Sequence, residues 1–76
     1  MMYVTYKWKL PIWESKPFSE CKAIECENFS IARVVASDIY SLHGIAYVNI
    51  NKCGRLPKGS TIISYTDYKN GKYYHM

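Results

Sequence analysis

Glycine and proline are sparse in this chain, four and three residues among 76, and neither they nor any repeat or low-complexity tract cuts it into parts. No linker is long enough to separate two cores, so residues 1–76 are expected to form a single domain. A run of roughly 18 apolar residues, which would be needed to cross a bilayer, is also missing. The N-terminal segment places Lys7 and Lys9 among alternating apolar side chains, unlike the unbroken apolar stretch of a signal peptide. A soluble, cytoplasmic protein with no membrane partner is the expectation.

Cysteine is too scarce for a disulfide framework. Cys21, Cys26 and Cys53 are odd in number and include no CxxC pair. If Cys21 and Cys26 share one strand, their odd separation turns them to opposite faces and they cannot bridge. Grouping Cys53 with His43 or His75 leaves too few ligands for structural zinc unless a carboxylate or Cys26 joins them. Neither metal nor cofactor is expected.

Catalytic patterns are missing as well. Pro57-Lys58-Gly59-Ser60-Thr61 reverses the glycine and lysine of a phosphate-binding loop, and no strand feeds into a helix there. No pair of acidic residues stands alone in an apolar setting that would raise a pKa for acid–base work. So short a chain buries only about 60% of its unfolded surface, which leaves little room for a deep cleft and the shell to support it. A non-enzymatic protein is expected.

The last shortage is local. Residues 1–40 balance Lys7, Lys9, Lys16, Lys22 and Arg33 against Glu14, Glu20, Glu25, Glu27 and Asp38. Residues 41–76 set Lys52, Arg55, Lys58, Lys69 and Lys72 against Asp67 alone, so the whole net charge of +4 falls in the C-terminal half. A positive field of this kind attracts nucleic acid or an acidic protein surface.

What is present is a clear alternation of elements. Val4, Tyr6, Trp8 and Leu10 share one face of a first strand, which Pro11 ends. Pro11–Ser19 reads as a loop, with Ile12, Trp13 and Phe18 folded back onto the core. A second strand covers Cys21–Glu27. Asn28 caps a helix whose core stripe is Phe29, Ala32, Val35, Ala36 and Ile39. Ile45–Ile50 is apolar on both faces and is expected in the middle of the sheet. Asn51–Ser60 is a basic loop, Ser60–Asp67 a fourth strand, and the Asn70-Gly71 turn leads into a fifth at Tyr73–His75. The fold class is therefore α+β, a small antiparallel sheet of four to five strands in the order β-β-α-β-β-β with one helix packed on one face.

Eight tyrosines exceed the roughly 2–3 that average usage gives a chain of this length. Tyr and Arg anchor interfaces, because they bury large area and keep a polar tip. Tyr3, Tyr47, Tyr65, Tyr68, Tyr73 and Tyr74 are candidate anchors. The residues expected to bind a partner are Lys7, Lys9, Arg33, Tyr47, Lys52, Arg55, Lys58, Tyr68, Lys69 and Lys72. Such lysines meet phosphate without reading sequence, and no helix is basic enough to enter a major groove.

Ile24-Glu25, then Ser30, Ala32 and Ala36-Ser37 on the helix, His43-Gly44 before the next strand, Ser64-Tyr65, and Asn70-Gly71-Lys72 form a pattern across residues 24–76. In these positions the chain resembles the ninth-numbered family of type I-F anti-CRISPR inhibitors. That resemblance implies a compact phage protein that sits on the backbone subunits of a CRISPR surveillance complex, obstructs target pairing with the guide, and promotes non-specific duplex binding. Arg33 then matches a basic helix position, and Lys69 and Lys72 match basic positions around the last turn. The Pro11–Ser19 segment and the Asn51–Ser60 loop depart from the family.

Two readings follow. The first is a phage-encoded inhibitor of a host defence protein or ribonucleoprotein, acting in the host cytoplasm as a monomer or homodimer. The alternative is a small non-specific DNA- or RNA-binding accessory protein that contacts the phosphate backbone directly.

Overall fold

The computed structural model describes residues 2–52 and 56–71. Strands β1 (Met2–Trp8) and β2 (Lys22–Cys26) precede helix α1 (Phe29–Tyr40). Strands β3 (Ile45–Asn51) and β4 (Thr61–Ile63) and the short helix α2 (Tyr65–Lys69) follow. The sheet order is β3-β1-β2-β4, so the first two strands lie in the middle. The α+β class is as expected from the sequence.

The helix side of the sheet carries the core. Val4, Tyr6 and Trp8 from β1 and Ile24 and Cys26 from β2 meet Ala32, Val35 and Ile39 of α1, with Ile63 and Tyr68 closing one end. Each large apolar side chain buried here stabilises the fold by about 1.5–3 kcal/mol. Asn28 caps α1 by accepting the Ile31 N–H at 2.9 Å. Cys26 belongs to this core, whereas Cys21 lies outside it, 3.7 Å from the Tyr47 hydroxyl. The two thiols are therefore in different surroundings, and Cys21 stands one residue before β2 begins.

On the other face, Tyr3, Thr5 and Lys7 of β1 stand opposite Asn51, Asn49 and Tyr47 of β3. Thr5 Oγ1 donates to Asn51 Oδ1 at 3.1 Å, which ties the end of β3 to the middle of the sheet. At the far end of β1, Ser19 acts as a strand partner. Its Oγ accepts the Trp8 N–H and its own N–H donates to the Trp8 carbonyl, both at 2.9 Å. Gly44, at φ 92°, brings its carbonyl to the Lys9 N–H. A Cβ there would lie 3.6 Å from the Trp8 ring, an ordinary contact, so the positive φ is what requires glycine.

Several expectations are corrected. The sheet is mixed and not wholly antiparallel, because β4 pairs parallel with β2. β3 and β4 run the same way and, among the described residues, lie at opposite edges, so the two do not pair with each other. Among the described residues β3 is an edge strand and not a central one. Its two apolar faces come from a bulge: Lys7 pairs with Tyr47 but Trp8 pairs with Ile45, and the extra residue resets the alternation. Ile45, Val48 and Ile50 all pack on the core as a result.

The fourth strand is short and gives way to α2. Ser64 Oγ accepts the Asp67 N–H at 3.1 Å, a cap that starts a helix where a strand was expected. Asn70-Gly71 ends that helix, and its dihedrals are not those of a two-residue type I′ turn. A two-residue type I′ turn needs positive φ at both positions, and Asn70 has φ −86° while Gly71 has 85°. The expected fifth strand, Tyr73–His75, lies outside the described residues.

Pro11–Ser19 is a loop, as expected, but its apolar side chains do not fold back. Pro11–Glu14 is a turn closed by a Glu14 N–H to Pro11 carbonyl bond of 3.0 Å. That turn holds Ile12 at 98% and Trp13 at 82% exposure, with Phe18 also exposed. The loop is pinned at its base by the Leu10 N–H to Pro17 carbonyl bond, 2.9 Å, so its tip points away from the core.

Candidate functional site

The outer flank of α1 and the end of α2 line an open groove of about 810 Å³. Phe29, Arg33 and Ser37 line it from α1, and Lys69 and Tyr68 from α2. Phe29 was expected in the core stripe and is half exposed instead. It sits at the first position of the helix, beyond the buried run of Ala32, Val35 and Ile39. There its ring receives two cations, with the Arg33 guanidinium carbon and the Lys52 Nζ each 5.9 Å from its centroid.

The same arrangement recurs on α2. Lys69 Nζ lies 5.9 Å from the Tyr65 ring centre, and Tyr65 packs on Tyr68 with 5.8 Å between ring centroids. A cation over an exposed ring gains only about 0.5–1 kcal/mol. The larger effect is orientation, because each long side chain is held over an aromatic platform and loses less entropy when an anion arrives.

Tyr68 is not a free anchor. It is buried, and its hydroxyl donates to Asp38 Oδ2, so it joins α2 to α1 and forms the floor of the groove. The acceptor, Asp38, is the acidic residue in the groove wall among the described residues, and it is engaged by this bond. Asp38 keeps its negative charge in this bond, and Arg33 and Lys69 together outweigh it, so the lining of the groove is net positive.

The other expected residues are dispersed. Lys7 lies on the opposite face of the sheet, its Nζ 5.8 Å from the Tyr47 ring centre. Burial first, then the hydrogen bond with Cys21 and the charge of Cys21, push the Tyr47 hydroxyl up to about 12. Lys9 is exposed beyond the end of β1. Lys58 is exposed on the turn that Ser60 closes by donating its N–H to the Pro57 carbonyl, 3.1 Å. Arg55, Lys72, Tyr73 and Tyr74 lie outside the described residues. Arg33, Lys52 and Lys69 are thus the members of the expected set that come together around one groove.

Sequence reasoning missed Phe29 and treated Tyr65 as one tyrosine among many. The signal was available as Phe29 followed four residues later by Arg33, the helical spacing that stacks a guanidinium on a ring. No group of His, Cys, Asp and Glu side chains among the described residues is arranged to hold a metal ion. No helix among them is long and apolar enough to cross a membrane.

No protein-family model, curated protein or solved structure matches the chain. The resemblance to the type I-F anti-CRISPR inhibitors rests on the residues quoted for it.

Proposed function

We propose that this chain is a non-catalytic inhibitor that docks its basic groove on a host nucleoprotein complex and denies that complex its nucleic-acid target. The observation that carries this reading is that Arg33 and Lys69 line one groove. These are two positions that the resemblance marks as basic contacts, and they lie on different helices. Lys52 joins them over the shared Phe29 ring.

Shape and charge support competition. A channel built for nucleic acid offers sites for phosphates and for stacked bases, and a rigid surface of oriented cations and aromatic rings can occupy both kinds. The host cytoplasm is where such a target resides.

The experiment uses two ligands, bare duplex and single-stranded DNA in a gel shift at moderate salt, and the guide-loaded type I-F surveillance complex in a direct binding assay. Binding to the complex, with weak or no binding to bare nucleic acid, is the expected result. Tight binding to bare nucleic acid with none to the complex would establish the alternative, an accessory protein that holds phosphate directly.

A further inference from the structure

We infer that the tip of the Pro11–Ser19 loop is a second, apolar contact, in which Ile12 and Trp13 enter a pocket on a protein subunit of the target complex. The inference rests on the proposed reading of the chain as an inhibitor that docks on a nucleoprotein complex. Among the described residues Ile12 and Trp13 are the two most exposed large apolar side chains. Apolar side chains scattered singly over a surface are ordinary, but two large neighbours turned outwards on one turn mark a contact.

The tip is braced from below. The Glu14 N–H to Pro11 carbonyl bond closes its turn, and the Leu10 N–H to Pro17 carbonyl bond joins the two limbs beneath it. Lys9 pairs with Phe18 in an antiparallel bridge, and the Lys9 N–H donates to the Gly44 carbonyl at 2.8 Å. Side chains presented on such a frame lose little freedom on binding, and tryptophan is among the residues that contribute most when they fill a partner's pocket.

Charge selects the occupant. Glu14 is exposed and is the charged side chain nearest the tip along the chain. Anionic lipid and a phosphate backbone both repel a carboxylate at that place. A second copy brings the same net charge of +4, which opposes association. A protein pocket can meet both signs. Lys9 and Lys16, one on each limb and both exposed, favour carboxylates at its rim, and Glu14 favours a hydrogen-bond donor. The partner's chemistry is thus an apolar hollow that admits an indole, with a mainly acidic rim.

This contact is separate from the basic groove's aromatic end. Trp8, at the base of the loop, pairs with Ile45 at the start of β3, whereas Lys52 reaches the Phe29 ring from just past the end of that strand. Losses at two such places share no partner and should add.

The test is binding of the full chain to the guide-loaded type I-F surveillance complex, with phosphatidylglycerol vesicles and bare DNA as further probes. Trp13→Ser should weaken binding to the complex about tenfold or more, the effect of losing a central anchor. Its unfolding midpoint should match the wild type, because the indole is exposed. Trp13→Ser combined with Arg33→Glu should multiply the two single losses. Wild-type affinity in Trp13→Ser would overturn the tip contact and leave the groove reading standing. No binding of the wild-type chain to the complex would overturn both. Capture by the vesicles or by bare DNA that is lost in Trp13→Ser would overturn the inference by giving the tip a different occupant.

Discussion

The hydroxyl of Tyr68 donates to the carboxylate of Asp38, a bond between two helices that β3 and β4 separate in the chain. It holds Lys69 against the α1 flank and so keeps the groove in shape. Tyr68→Phe should cost about 1.5–3 kcal/mol, the range for a hydrogen bond to a charged group. Asp38→Ala should cost a similar amount, and the double variant little more than either alone, because both remove the same bond. Denaturant unfolding of the three variants measures this.

Val35 is 1% exposed and lies between α1 and the sheet. Val35→Asp places a carboxylate there without a partner, a cost of several kcal/mol against a total stability of about 5–15 kcal/mol. The variant should lose its cooperative thermal transition. A folded Val35→Asp protein would show that this helix face is not the buried one.

The alkaline limit of stability should carry the signature of Tyr47. Its hydroxyl titrates near 12 in the folded protein against an ordinary 10.0, so between those values the unfolded chain releases a proton that the folded chain keeps. Stability is therefore fully present below pH 10 and is lost as pH rises towards 12. Tyr47→Phe should remove that part of the decline, seen as a flatter dependence of the unfolding midpoint on pH.

Cys26 is buried in the core, and burial pushes its thiol up from the ordinary range. It should resist alkylation in the native protein and react at a normal rate once denaturant unfolds the chain. Mass spectrometry after a short alkylation pulse, with and without denaturant, reads the difference.

How much of this was legible in the residues follows from physical range. The α1 cap at Asn28 and the β1 face of Val4, Tyr6 and Trp8 are local periodicities, and they came through. The β3 edge did not, because apolar residues on both faces read equally as a central strand or as a bulged one, and only pairing tells them apart. α2 was hidden for a related reason. Ser64 and Asp67 form a cap, but the β-branched Thr61-Ile62-Ile63 run before them outweighed it.

The groove itself was half legible. Arg33, Lys52 and Lys69 were marked by charge, yet nothing in their spacing says that they share a surface while Lys7, Lys9 and Lys58 do not. Tyr68 was misread as an anchor, because a buried tyrosine with a satisfied hydroxyl and an exposed one have the same letter. Ile12 and Trp13 show the converse error: apolar side chains in a loop were assigned to the core, and the turn at Pro11–Glu14 turns them outwards.

The most direct measurement is a competition assay, in which guide-loaded type I-F surveillance complex is offered labelled target DNA after incubation with this protein. The account predicts that the wild-type chain blocks target loading and that Arg33→Glu with Lys69→Glu restores it by at least about tenfold, while the unfolding midpoint stays close to that of the wild type. Target DNA loading normally in the presence of saturating wild-type protein would contradict it.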